Sequence, residues 1–157
     1  MEIREMMGVV MTNDVLVSIK GLQFGEGTEQ EVVETITPGS YYFKNGKHFV
    51  IYEETLEGEI ESKKNIIKAS QDILEIVQKG SYSANMLFEK NKKNLSYYNT
   101  PYGSVSIGIT ATSLVLEEEL DSIQIRVEYA LEVNQEYLAD CSVSIEVKSK
   151  DTKNFVL

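Results

Sequence analysis

The chain has 157 residues, a formal net charge of −10, one cysteine and 42% hydrophobic residues. This length suits a single domain over residues 1–157, and one cysteine excludes an intrachain disulfide. The charge argues against binding to nucleic acid or to anionic membranes, because both need clustered Lys and Arg.

Residues 1–10 contain Glu2, Arg4 and Glu5 and lack the basic stretch and apolar run of a secretory signal. We expect an N-terminal arm or a short helix there. The sequence holds no run of about 18 apolar residues, so it predicts no membrane-spanning helix. A cytoplasmic protein is therefore expected.

The next segments alternate apolar and polar residues, which is typical of strands with one buried face. Residues 69–78 also allow a helical turn or two, but the strand interpretation is preferred, since the apolar run is short and Gly80 follows. The predicted strands of the first two thirds cover residues 14–24, 29–37, 40–44, 48–54, 59–70, 72–79 and 83–90.

Asn45-Gly46 separates two of these segments. Both central residues of a type I′ turn need positive φ, and Asn-Gly is the dipeptide that best meets this need. The sequence therefore predicts a two-residue hairpin turn here.

The alternation is strongest in the C-terminal third. The pattern predicts that Ile125, Val127, Tyr129, Leu131, Val143 and Ile145 face one interior, with Arg126, Glu128 and Glu146 outside. It also places Val105, Ile107, Ile109, Ala111, Ser113 and Val115 together on one face of the preceding strand.

The C-terminal segments are about a dozen residues long, beyond the usual 5–6. Long strands favour a barrel over a short-stranded sandwich. Nine or ten strands with short turns and no crossover helix predict an all-β fold, a closed antiparallel up-and-down β-barrel.

Several short sequences occur in an order that resembles a known family. That family is the YwiB-like group of uncharacterised bacterial β-barrel proteins, and the resemblance implies a calycin-like, lipocalin-like barrel with little helix and no assigned reaction. Gln78 departs from the pattern, which has Arg before the Gly80 turn. The segments that carry the resemblance are residues 39–44, 52–54, 65–68, 86–88, 98–103, 129–131 and 134–136.

Residues that could support catalysis or metal binding are few. His48 is the only histidine, and its place directly after Lys47 and the hairpin turn predicts an exposed strand residue. Cys141 alternates with Val143 and Ile145, so it is expected to face the core and to be inert. One Cys and one His cannot form a usual zinc site, so we expect no enzyme, no metal site and no cofactor.

Three charged clusters are interpreted as solvated surface. Lys90, Lys92 and Lys93 with two asparagines are predicted to form a hairpin tip. The acidic residues at 57–61 and 117–119 lack the spacing of a calcium loop and are interpreted as strand edges or turns.

A set of polar and aromatic residues is the strongest candidate for a binding site. In a barrel such residues can line a pocket, although aromatics also stabilise strands by cross-strand pairing, and both interpretations stay open. The set comprises Tyr41, Tyr42, Tyr52, Asn65, Lys68, Tyr98, Thr100 and Tyr102, and the predicted ligand-binding residues are Tyr41, Tyr52, Lys68, Tyr98 and Tyr102.

The preferred functional hypothesis is binding of a small, partly apolar molecule in the barrel or at its mouth. Small barrels can hold one ligand or be filled by side chains. The alternative is a protein-interaction or homo-oligomeric scaffold, such as a homodimer, with a filled barrel and no ligand.

Overall fold

The computed structural model describes residues 11, 13–21, 34–54 and 63–150. Every regular element in this part of the chain is a β-strand. No helix in it is long and apolar enough to cross a membrane. The strands are β1 (Asp14–Lys20), β2 (Glu34–Lys44), β3 (Lys47–Glu54), β4 (Lys63–Ala69), β5 (Ile73–Lys79), β6 (Ser83–Glu89), β7 (Lys93–Thr100), β8 (Gly103–Glu118), β9 (Ser122–Val133) and β10 (Glu136–Ser149).

Each strand pairs antiparallel with the next along the chain, and β1 also pairs with β10. The predicted closed up-and-down barrel is confirmed. Closure leaves no strand edge free for pairing with another chain. The predicted arm at residues 1–10 and the acidic cluster at 57–61 lie outside the described residues.

An up-and-down barrel has two ends. The turns after β2, β4, β6 and β8, at residues 45–46, 70–72, 90–92 and 119–121, lie at one end, which we call the His48 end. The turns after β5, β7 and β9, at residues 80–82, 101–102 and 134–135, lie at the other, which we call the Asn65 end. The lysines at 90, 92 and 93 sit in and beside one of these turns and are exposed, as predicted.

The inner faces of the strands form one hydrophobic core. In β9 and β10 the predicted alternation is confirmed, with the Ile125 to Ile145 series buried and Arg126 and Glu128 exposed. Glu146, also predicted outside, is half-buried and accepts from the Gln124 side chain. The ring of Phe88 in β6 packs edge-on against the ring of Tyr129 in β9, with ring centroids 5.0 Å apart. The filled middle of the barrel supplies most of the apolar burial that stabilises the fold.

The predicted alternation of β8 is wrong beyond Ala111. Ala111 pairs with Tyr129 and Ser113 with Glu128, so Thr112 is an extra residue in a β-bulge. Its hydroxyl donates to the Glu128 carbonyl at 3.2 Å. A bulge shifts the period of two by one residue, which turns Leu116 inward and leaves Val115 42% exposed.

Segments 29–37 and 40–44 were predicted as separate strands, whereas residues 34–44 form one strand, β2. Pro38 is tolerated because pairing with β3 begins only at Gly39. A side chain at Gly39 would meet the Ile51 carbonyl at 2.9 Å and Val17 at 3.2 Å. Glycine here lets β1 and β3 approach β2 closely from both sides.

Two other local predictions are confirmed. Asn45 and Gly46 have φ of 53° and 78° and form the tight turn between β2 and β3. Residues 73–79 form strand β5 rather than a helix.

Strand pairing in the barrel is least extensive between β6 and β7. Two residue pairs join these strands, Ser83 with Asn99 and Ala84 with Tyr98, whereas every other neighbouring pair has at least six. Beyond them, the Asn94 side chain donates to the Leu87 carbonyl at 3.3 Å.

Candidate functional site

His48 is buried, with 2% of its surface exposed, so the prediction of an exposed histidine is wrong. The tight turn pairs Lys44 with Lys47, and the pleat then directs His48 inward in phase with Val50 and Tyr52. This alternation was visible in the sequence and gave a better signal than proximity to the turn.

Both nitrogens of the buried imidazole are hydrogen bonded. Nδ1 lies 2.9 Å from the Tyr41 hydroxyl, and Nε2 lies 2.9 Å from Oε1 of Glu118. The Phe43 ring packs edge-on against the imidazole, with centroids 5.1 Å apart. The network links β2 and β3 to the end of β8 and fixes the ring orientation.

The acidic cluster at 117–119 divides between two environments. Glu117 accepts from Arg126 at 2.6 Å and Glu119 from Gln124 at 3.4 Å, both on the surface as predicted. Glu118 is exposed as well, but its carboxylate turns toward His48 because the bulge has shifted its phase.

A second polar cluster lines the interior of the Asn65 end. Register places Tyr52, Asn65, Gln78, Ala84 and Tyr98 in one row across five strands, β3 to β7. Strands lie about 4.8 Å apart, so side chains of adjacent members of the row are within reach of one another. Ala84 is the small member of the row.

Asn65 is the centre of this cluster. Its surface is 0% exposed, and its Nδ2 donates to Oε1 of Glu54 at 3.3 Å. Its Oδ1 is buried and has no hydrogen-bond partner among the described residues. Buried polar atoms are paired in the great majority of cases, and an unpaired one costs about 1–3 kcal/mol.

The tyrosines of the cluster are held as neutral phenols. Burial raises the pKa of Tyr52, and the charge of Glu54 raises it further. Burial also raises the pKa of Tyr98, with a contribution from Tyr82, whose ring centroid lies 6.1 Å away. The Lys63 ammonium lies 5.9 Å from the centroid of the Tyr82 ring.

The structure places two of the five predicted ligand-binding residues in this row, Tyr52 on β3 and Tyr98 on β7. Tyr41 is on the inner face at the opposite end, where it contacts His48. Lys68 points outward and lies 3.8 Å from Glu75. Tyr102 lies in the β7–β8 turn and is 93% exposed.

Cys141 lies on the inner face opposite Tyr129 but is only half-buried. Burial raises the pKa of its thiol and Asp140 raises it too, while a hydrogen bond with Tyr129 acts in the opposite direction. A raised pKa keeps the sulfur protonated near neutral pH, and the thiolate is the reactive form. No group of three His, Cys, Asp or Glu that could hold a metal ion occurs in the described ranges.

Comparison with known proteins decides the family. A family model described as a domain of unknown function, DUF1934, matches residues 17–145. The chain belongs to the DUF1934 family. The match covers every strand of the barrel at least in part, and confirms the resemblance drawn from the sequence.

This DUF1934 protein is 27% identical to the uncharacterized beta-barrel protein YwiB of Bacillus subtilis (strain 168), over 119 residues, 74% of this chain and 82% of YwiB. Its fold matches the crystal structure of the ywiB protein from Bacillus subtilis with a TM-score of 0.72 at 19% identity, covering 88% of this chain and 93% of that one. The comparisons thus give the DUF1934 protein a family and a β-barrel fold, and no activity.

Proposed function

We propose that this protein is a non-enzymatic binder of a small, partly apolar molecule, held inside the Asn65 end of the barrel. Tyr52, Asn65, Gln78 and Tyr98 would contact the ligand. The observation that carries the proposal is the buried and unpartnered Oδ1 of Asn65.

The chemistry of the row supports a ligand. Ring faces of Tyr52 and Tyr98 offer apolar contact, and the amide of Asn65 offers a polar anchor, the mixture usual in small-molecule sites. Gln78 and Tyr98 are only half-buried, so the described strands do not fully cover this end of the interior. A ligand with a hydrogen-bond donor would supply the bond that Oδ1 lacks after displacing the side chains that cover this atom.

The test is a fluorescence titration with 1-aminoanthracene, a neutral probe that brightens in apolar sites. Ala84→Leu fills the row beside Tyr98 and should abolish saturable binding. Ala69→Leu is the matched control, because Ala69 is equally buried but lies at the His48 end, and should keep it. Circular dichroism would check that both variants fold, since overpacking costs about 1–3 kcal/mol. Absence of binding to the wild-type protein, or equal binding by both variants, would contradict the proposal.

A homodimer is the second candidate, favoured by one observation on the outer surface. Leu95, Tyr97, Tyr137 and Leu138 are each more than 60% exposed. Register places Leu95 and Tyr137 in one row of the outer face, separated by Gly108 and Glu132. Exposed apolar side chains of this kind, with the Lys93–Glu132 ion pair between them, suit association of two copies.

Sedimentation velocity would test the dimer. A Leu95→Ser, Tyr97→Ser double variant should shift a dimer to monomer. Ile36→Ser, which changes an equally exposed residue on β2, should leave the dimer intact. A wild-type protein that stays monomeric at 100 μM or so would remove this candidate.

A further inference from the structure

We infer that the ligand of the Asn65 end carries an uncharged hydrogen-bond donor as its head group, a primary amide or an alcohol on an apolar body. This inference rests on the binding function proposed above. It is carried by the orientation of the Asn65 side chain and by the charges around it.

The orientation of Asn65 determines the polarity of the missing partner. Glu54 accepts from Nδ2, which places the amide nitrogen toward the carboxylate and leaves Oδ1 as the group without a partner. An amide oxygen is only an acceptor, so its partner must donate. A carboxylate or ketone would bring a second acceptor against Oδ1 and leave both atoms unpaired.

The surrounding charges favour an uncharged donor. Glu54 and Lys63 are paired in register on the inner-face positions of β3 and β4 at this end, so this end of the interior carries one position of each charge. An ammonium head group at Oδ1 would lose its hydration, and the Glu54 carboxylate already accepts a hydrogen bond from Nδ2 of Asn65, so the buried charge would be poorly compensated. Tyr52 and Tyr98 add no charge, because burial raises the pKa of both.

Four probes with the same ten-carbon chain separate these head groups: 1-decanol, decanamide, decanoate and decylammonium. Their affinities can be measured at pH 7.4 by displacement of 1-aminoanthracene. The alcohol and the amide should bind at least about tenfold more tightly than either ion, because decanoate has no donor for Oδ1 and decylammonium loses the hydration of its charge.

Asn65→Leu tests the anchor itself. It should weaken binding of 1-decanol and decanamide about tenfold and leave decyl methyl ether, which has no donor, unchanged. It should change the melting temperature of the unliganded protein little, because removal of the unpaired acceptor offsets loss of the hydrogen bond from Nδ2 to Glu54. A purely structural Asn65 would lower it.

The outcomes separate the two proposals. If decanoate or decylammonium binds most tightly, or all four bind equally, the head-group inference is wrong while the binding function stands. If none of the probes binds, the binding function fails and the inference fails with it. Should Asn65→Leu not fold, the ranking in the wild-type protein decides the inference alone.

Discussion

Nε2 of His48 lies 2.9 Å from Oε1 of Glu118, 70 positions later in the chain. The contact joins the start of β3 to the last residue of β8, two strands that are not neighbours in the sheet. It exists because the Thr112 bulge turns Glu118 toward the inner face. In either protonation state of the imidazole, the Nε2–H can donate to the carboxylate.

Loss of the Glu118 carboxylate should destabilise the protein more than loss of the neighbouring Glu117. Glu118→Ala leaves a buried ring N–H unpaired and is expected to lower the free energy of unfolding by about 1–3 kcal/mol. Glu117→Ala removes the shorter contact, 2.6 Å to Arg126, but that pair is exposed and should cost below about 1 kcal/mol. Urea denaturation would measure both, and equal losses would contradict the role of Glu118 as the partner of a buried histidine.

The bulge can be tested with two adjacent residues. Leu116→Ser should cost about 2–4 kcal/mol of unfolding free energy, because Leu116 is 8% exposed and faces the core. Val115→Ser should change it by no more than about 0.5 kcal/mol, because Val115 faces solvent. If the alternation continued through β8 without a bulge, Val115→Ser would cost more unfolding free energy than Leu116→Ser.

Stability should fall at alkaline pH because of two buried tyrosines. Burial raises the pKa of Tyr52 and Tyr129 above the ordinary value of 10.0. Above about pH 10 the unfolded chain loses these protons while the folded chain keeps them, so the unfolding free energy falls by up to about 1.4 kcal/mol per pH unit per tyrosine.

Urea titrations between pH 8 and 11 would measure this slope. Tyr52→Phe and Tyr129→Phe should each reduce the slope of unfolding free energy against pH by the contribution of one tyrosine. Tyr102→Phe, at a position 93% exposed, is the control and should leave it nearly unchanged. A wild-type stability that does not decline above pH 10 would contradict the burial of both phenols.

Gly46→Ala isolates the backbone cost of the first hairpin. Gly46 has a φ of 78°, and a methyl group there would meet nothing within 4 Å, so the conformation alone decides the effect. We expect a loss of about 1 kcal/mol in thermal or urea unfolding. Lys47→Ala, an exposed neighbour, should cost little, and a similar loss in both variants would show that the turn is not strained by alanine.

Local patterns sufficed to predict the barrel, because each strand has one face in the core and the period of two records it. The same period predicted β9 and β10 correctly and failed in β8, since nothing in the residues around Thr112 marks an extra residue. A bulge is set by how neighbouring strands must bend around the barrel, which is a property of the closed sheet.

The candidate site was only partly predictable for a related reason. Tyr52, Asn65 and Tyr98 stood out as polar or aromatic residues in apolar strands, but their shared row depends on the pairing of five strands. Lys68 was grouped with them although one step along the pleat places it on the outer face, beside Glu75. The link from His48 to Glu118 depends on the bulge and could not have been foreseen from spacing.

The pairing of β1 with β10 has a mechanical consequence. Val15 pairs with Ser149, and the Lys150 amide donates to the Asp14 carbonyl at 2.9 Å, so both ends of the barrel segment leave from the same end of the molecule. Tension applied between these two points loads one hydrogen bond of the antiparallel ladder at a time, from this end inward. Under a pulling force the barrel should therefore unzip along its closing strand pair rather than resist in shear.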